Sequence, residues 1–262
     1  MGRLEVTEIK CRTTGRLERP QIRPAGDRLT FIDKRDDLAR RMAYIQHTEM
    51  FSSISANDSS AIVASARERN FGRRQTLFLE GGPARHVFLV LSGSLKVSQL
   101  GTNGQEVILR LNGPGDVVGA TGTAAENYCE ARTLQPTSAL VWETRDFQAL
   151  LERFPILRGN MTGVLERQLN ELEIRFREVA TQKVALRLSS QLARLATQVG
   201  KQVEEQVEIA VSQRELAQLI GTTLFTVSRL LSQWEAQGIL SARREAILLR
   251  NLPGLLDLSM EE

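Results

Sequence analysis

The sequence predicts an α+β chain: a small antiparallel, jelly-roll-like β-roll, then one long helix, then a compact helical unit edged by a short β-hairpin. Three observations carry that prediction. Between Phe71 and Glu143, short apolar segments alternate with polar residues and are broken by glycines at close intervals, the pattern of successive antiparallel strands. From Leu157 to Val179, apolar residues recur at steps of 4, 4, 4, 3, 4 and 3, about 3.7 residues on average, which is one stripe along a helix. From Ser212 onward, two short helical patterns meet at Gly221.

The 262 residues are enough for about two domains, and a composition 42% hydrophobic and 25% charged is that of an ordinary globular chain. The net charge of +3 is too small to identify a nucleic-acid binder by itself. Two cysteines, Cys11 and Cys129, cannot build a disulfide framework or a four-cysteine iron–sulfur or zinc site within one chain. His47 and His86 stand far apart with no HExxH pairing, so neither a metal site nor a catalytic set is expected, and the chain does not read as an enzyme. The longest apolar runs, such as Val87–Leu91, fall far short of the roughly 20 residues that cross a bilayer, so no membrane partner is expected. Charges run through the N-terminal region with no apolar core of a signal peptide, and a cytoplasmic location is expected.

Taken in order, residues 1–45 are rich in Arg and Lys, contain Pro20, Pro24 and Gly26, and read as a flexible basic extension with some helix near Leu38–Ile45. Phe51–Ala66 is helix-like, with Asn57-Asp58-Ser59 as a start signal for its second half. In the roll, assigned to residues 46–150, Leu95 and Val97 alternate with Lys96 and Ser98. Thr102-Asn103-Gly104 predicts a hairpin turn with positive φ at both Asn103 and Gly104, and Gly113-Pro114-Gly115-Asp116 predicts another turn. The stripe helix, residues 151–179, must bury its apolar side on its own domain or on a second copy, and a symmetric dimer is the commonest solution. The expected interface is Leu157, Met161, Leu165, Leu169, Leu172 and Phe176.

The last unit, residues 180–262, begins with an amphipathic helix, Val184 to Val199, that stops at Gly200. Ser212 and Glu215 then form a capping box. Leu216–Ile220 follows on a first helix, Gly221 turns the chain, and Thr222 or Thr223 caps a second helix. That helix keeps Val227, Leu230, Leu231 and Trp234 inward and Leu224, Phe225, Ser228 and Arg229 outward. Ile239–Ser241 and Ala246–Leu249 make a two-stranded wing. Two short helices, a turn glycine and an outward front are the anatomy of a helix-turn-helix.

The run Ser212-Gln-Arg-Glu-Leu-Ala-Gln-Leu-Ile-Gly-Thr-Thr-Leu-Phe-Thr-Val-Ser-Arg-Leu-Leu resembles the helix-turn-helix of the CRP/FNR family of bacterial transcription regulators. Phe71–Glu143, Pro155–Val179 and Thr181–Arg250 match, in order, that family's cyclic-nucleotide-binding-type roll, dimerisation helix and winged helix-turn-helix. The resemblance implies a homodimer on a pseudo-palindromic duplex, contacts from Gln213, Thr223, Leu224, Phe225, Thr226, Ser228 and Arg229, and RNA polymerase as a partner if the protein activates. A β-roll that only binds a ligand, or a scaffold, is the alternative. The wing region from Val207 to Arg250 holds five Arg and four Glu, so backbone amides must carry many phosphate contacts.

Departures from the family pattern are equally informative. Gly119-Ala120-Thr121 replaces the Gly-Glu-Leu loop that holds ribose, and Tyr128-Cys129 replaces the Arg-Ser/Thr pair that holds phosphate, which argues against cyclic AMP as effector. Gly119, Ala120, Thr121, Tyr128 and Cys129 nevertheless mark where an effector pocket is expected. Cys129 reads as a buried packing thiol with oxidation as the rival role, and haem ligation by His86 or His47 is left open. At the recognition helix, Arg229 aligns with the family arginine that reads a guanine, Phe225 stands where a glutamate accepts from cytosine, and Leu224 stands where an arginine is often found.

Overall fold

The computed structural model describes residues 34–121 and 124–258. Most of the basic extension, residues 1–33, lies outside them.

Helix α1 (Lys34–Ile45) leads to a 3₁₀ turn (Glu49–Phe51) and helix α2 (Ala56–Ala64). The helix expected near Leu38–Ile45 is present and begins earlier than expected, at Lys34. Ile45 is fully buried, and Leu38 and Met42 pack on the same core, so burial of one apolar side holds this helix. The cap of α2 is Ser55, whose Oγ accepts from the Asp58 amide at 3.1 Å, two residues before the expected start signal.

Eight strands form the roll: β1 (Arg67–Phe71), β2 (Thr76–Phe78), β3 (His86–Ser92), β4 (Leu95–Leu100), β5 (Glu106–Asn112), β6 (Val117–Gly119), β7 (Glu130–Thr133) and β8 (Thr137–Glu143). They pair antiparallel in two sheets of order β1-β8-β3-β6 and β2-β7-β4-β5. Inward residues Val90, Leu95, Val97, Val118 and Ala131 fill the space between them. The β4–β5 turn differs from the expected two-residue form. It is a longer loop in which Gly104 has φ 74°, Asn103 stays at negative φ, and the Asn103 Oδ1 accepts from the Gln105 amide at 3.0 Å. The asparagine works through its side chain rather than through a left-handed backbone.

Helix α3 (Thr144–Arg153) follows, so the boundary drawn at residue 150 falls inside a helix. Phe154 separates it from α4 (Pro155–Thr181), which starts with proline at its first turn, where a missing N–H costs nothing. The stripe of α4 divides in two. Leu157, Met161 and Val164 are buried in the sensor core with Met50, Trp142 and Phe147, and Asn160 ties α4 to the 3₁₀ turn through the Met50 and Ser52 carbonyls at 3.0 and 2.7 Å. Leu157 and Met161 therefore do not belong to an inter-chain face. Their own domain already covers them. Leu165, Leu169, Leu172, Phe176 and Val179 remain exposed.

Helix α5 (Val184–Gln198) opens the last domain, followed by β9 (Lys201–Val203), β10 (Gln206–Ile209), α6 (Gln213–Ile220), α7 (Leu224–Ala236), β11 (Leu240–Ala242), β12 (Ile247–Leu249) and α8 (Leu252–Asp257). The wing is not a two-stranded hairpin but part of a four-stranded sheet, β11-β12-β10-β9. Val207 and Ile209 alternate too briefly to announce β10, and pairing with β12 supplies the missing stabilisation. Leu188, Leu192, Leu216, Leu231 and Trp234 form this domain's core, which Ile108, Leu111 and Leu134 of the roll join. Sensor and helix-turn-helix therefore share apolar packing.

Candidate functional site

The helix-turn-helix is built from local hydrogen bonds. The Glu215 carboxylate accepts from the Ser212 amide at 2.8 Å while Ser212 Oγ accepts from the Glu215 amide at 3.3 Å, closing the capping box. Gly221 sits at φ 67°, the left-handed conformation that ends α6, and the Thr222 amide donates to the Ala217 carbonyl at 3.0 Å. Thr223, not Thr222, caps α7, its Oγ1 accepting from the Thr226 amide at 3.2 Å.

With both ends held, the buried side of α7 (Val227, Leu230, Leu231, Trp234) fixes what the other side shows. Leu224, Phe225 and Arg229 are exposed, as is Thr223 at the cap, and Thr226, Ser228 and Gln213 are half-buried. Phe225 is 78% exposed, so the ring does not turn inward to pack. Residues 224 and 228, and 225 and 229, are stacked one turn apart on the same face. Arg243 and Arg244 at the turn between β11 and β12 are also exposed. The sequence reading named neither, although two adjacent arginines between apolar strands were the available signal.

On α4 the exposed half of the stripe forms a second feature. Phe176 is 76% exposed, and an apolar row of this length on a single chain is not a stable resting surface in water.

The third feature is a cleft of about 680 Å³ in the roll, to which Arg110, Ala120, Thr121, Glu126, Tyr128 and Cys129 contribute. Gly119 adopts φ 111° beside it, and a Cβ there would lie 2.4 Å from the His86 carbonyl oxygen. The expected pocket residues do come together, but not with equal parts. Tyr128 is 75% exposed and its carbonyl, not its ring, is held, by Gln99 Nε2 at 2.6 Å. Arg110 brings to the cleft a guanidinium that the sequence does not announce, because it stands on β5, 18 residues before Tyr128, the position that matches the family arginine. Burial pushes the Cys129 thiol up, and Arg110 only partly opposes this, so the thiol is protonated at neutral pH and is a poor nucleophile. His86 and His47 border separate clefts and are not brought together. Burial, then Arg69, lowers the pKa of His86 and keeps it neutral.

Residues 68–154 match the cyclic nucleotide-binding domain family, and residues 186–258 match the Crp-like helix-turn-helix domain family. The chain belongs to the CRP/FNR family. The probable transcriptional regulator flp of Lacticaseibacillus casei is 27% identical over 210 residues, covering 79% of this chain and 94% of that protein. The transcriptional activator protein anr of Pseudomonas aeruginosa is 26% identical over 186 residues, 69% of this chain and 75% of that one. The structure of FixK2 from Bradyrhizobium japonicum superposes with a TM-score of 0.66 at 24% identity, covering 75% of this chain and 98% of that one, a likeness of fold. This CRP/FNR chain is thus a transcriptional regulator with a roll followed by a helix-turn-helix, as its element order already indicated. No helix among its described residues is long and apolar enough to cross a membrane.

Proposed function

We propose that the protein is a cytoplasmic homodimer that binds a pseudo-palindromic duplex through the front of α7 and does no catalysis. The observation that carries this reading is the exposed face of α7. An apolar ring, an aliphatic side chain and an arginine project from a helix whose opposite side is locked in the core. A roll that only bound a ligand, or a scaffold, would have no use for such a face. The exposed stripe from Leu165 to Phe176 supports pairing of two α4 helices, which would hold two recognition helices about 34–36 Å apart, one turn of DNA. Gln213, Thr223, Leu224, Phe225, Thr226, Ser228 and Arg229 would meet the duplex, with Arg243 and Arg244 at its backbone, and RNA polymerase would be the partner of an activating form.

The roll would hold an effector other than cyclic AMP. Ala120 offers no carboxylate to a ribose, although Arg110 offers a charge to an anion. Selection of bound sites from random duplex, with purified protein, tests the DNA reading. Enriched inverted half-sites about one helical turn apart are expected, and failure to enrich any sequence would overturn it. Calorimetry with cyclic AMP should give no micromolar binding, and the visible spectrum of the same preparation reports whether haem is present.

A further inference from the structure

A cavity of about 250 Å³ lies between the roll and the last domain, walled by β5, α4, α5 and α6. It is separate from the roll cleft, although Arg110 borders both. Its charged lining is Arg110, Arg175, Arg194 and Glu171. Two of these are already occupied. Arg194 grips Glu178 with both terminal nitrogens at 2.7 Å, and Glu171 accepts from Arg167 at 3.1 Å.

Arg110 and Arg175 are not. The Arg110 Nε is buried with no hydrogen-bond partner, and among the described residues no hydrogen bond or ion pair joins either guanidinium to an acceptor. Burial, then the nearby Arg194, pushes Arg175 down to about 10, and burial also lowers Arg110. Both remain charged at neutral pH: Glu171 favours the charge on each without bonding to it, but burial outweighs that attraction and keeps the charge costly. Two half-buried, unpaired guanidinium groups facing one cavity are what an anion completes, because each carries donors in a planar fork suited to carboxylate or phosphate. The space equals about eight waters at ~30 Å³ each, the scale of a small metabolite.

We propose that this cavity binds a small organic anion, through a carboxylate or phosphate group held by Arg110 and Arg175. Leu219 of α6 lines the same cavity as Arg110 of β5, so an occupant would touch both the roll and the first helix of the helix-turn-helix. In that respect the inference rests on the regulator reading, giving it an effector class. The binding itself stands independently of DNA.

The test is calorimetry of the full chain with inorganic phosphate and, separately, with succinate, at ionic strength held constant with sodium chloride. Wild type is compared with Arg110→Gln, Arg175→Gln and Arg158→Gln, the last an exposed arginine near the start of α4 and away from the cavity. Saturable binding of one anion per chain is expected for at least one probe. It should weaken about tenfold or more in either cavity variant and be unchanged in Arg158→Gln. Binding of succinate alone assigns a carboxylate, and binding of phosphate alone assigns a phosphate. Absence of saturable binding of both probes to wild type, or binding that survives both cavity substitutions, would overturn the proposal. Retention of each protein on non-specific duplex, measured in parallel, separates failure of this site from failure of the DNA reading.

Discussion

Phe225 makes little contact with its own protein, so its side chain is free to be judged by what it meets outside. A phenyl ring cannot accept from a cytosine amino group but can pack on a thymine methyl, and the neighbouring Leu224 has the same limits. Arg229, one turn on, can pair with both acceptors of a guanine, a contact worth about 1–3 kcal/mol of discrimination. Selected half-sites should therefore keep the guanine and show thymine, or no preference, where a glutamate at position 225 would choose a G·C pair. Phe225→Glu should restore that G·C preference without loss of stability beyond about 0.5 kcal/mol, since an exposed ring contributes little to folding. Arg229→Ala should relax selection at the guanine. Recovery of the G·C preference by the unmutated protein would contradict this assignment.

The elements show the same residue types doing different work according to their place. Along α4, Leu157 lies in a finished core while Leu165 and Leu172, two and four turns on, are exposed. Substituting both Leu165 and Leu172 with Glu should leave the monomer fold intact but give a species that sediments at half the mass and no longer binds an inverted repeat. Leu157→Ala should do the reverse, costing about 2–5 kcal/mol in denaturant unfolding while leaving the association state unchanged. A doubly charged variant that still sediments as a dimer would remove α4 as the interface. The caps belong to this scale as well. Ser212→Ala removes the hydroxyl half of the capping box, leaving only the Glu215 carboxylate on the backbone amide, and should cost about 1 kcal/mol, with DNA affinity falling through a loosened α6.

Across the whole molecule, the roll and the helix-turn-helix are joined by polar contacts as well as by shared apolar packing. Arg73 and Arg74 reach Glu245 beside the wing turn, and Gln218 of α6 donates to Glu106 of β5 at 3.1 Å. Burial raises the carboxyl of Glu106, but Lys96 at 2.6 Å, with Ser98 and Gln218, outweighs this and holds it below the usual glutamate range. A pKa lower in the folded than in the unfolded state stabilises fully above the unfolded value and is lost as pH falls through the folded one. Acidification from about pH 7 to about pH 3 should therefore remove part of the stability, together with the tie between domains. Glu106→Gln should cost about 1–2 kcal/mol at neutral pH, because it leaves the buried Lys96 without its partner, and should flatten the acid limb of the stability curve. An unchanged acid limb would assign that dependence to other carboxylates.

Local pattern alone determined much of this protein. The alternation in the roll, the period of α4, the Ser212–Glu215 box and Gly221 are short-range signals, set by backbone geometry and by neighbours three or four residues away, so they are legible in one dimension. From them followed the order of roll, long helix and helix-turn-helix, and the outward front of α7. What only the tertiary structure decided depends on partners distant in the chain. A period of 3.7 identifies a stripe but not its cover, and the 3₁₀ turn and α3 claim Leu157 and Met161 while nothing among the described residues covers Phe176. Strand β10 exists because β12 pairs with it, β9 exists because β10 pairs with it in turn, and α1 is held in place because its apolar side has a core to meet. Arg110 lies unremarked in the middle of a strand, and only the packing of β5 against α4, α5 and α6 turns it into an unpaired, half-buried charge. Side-chain chemistry can be read from a letter, but desolvation and the absence of a partner are properties of the space around it.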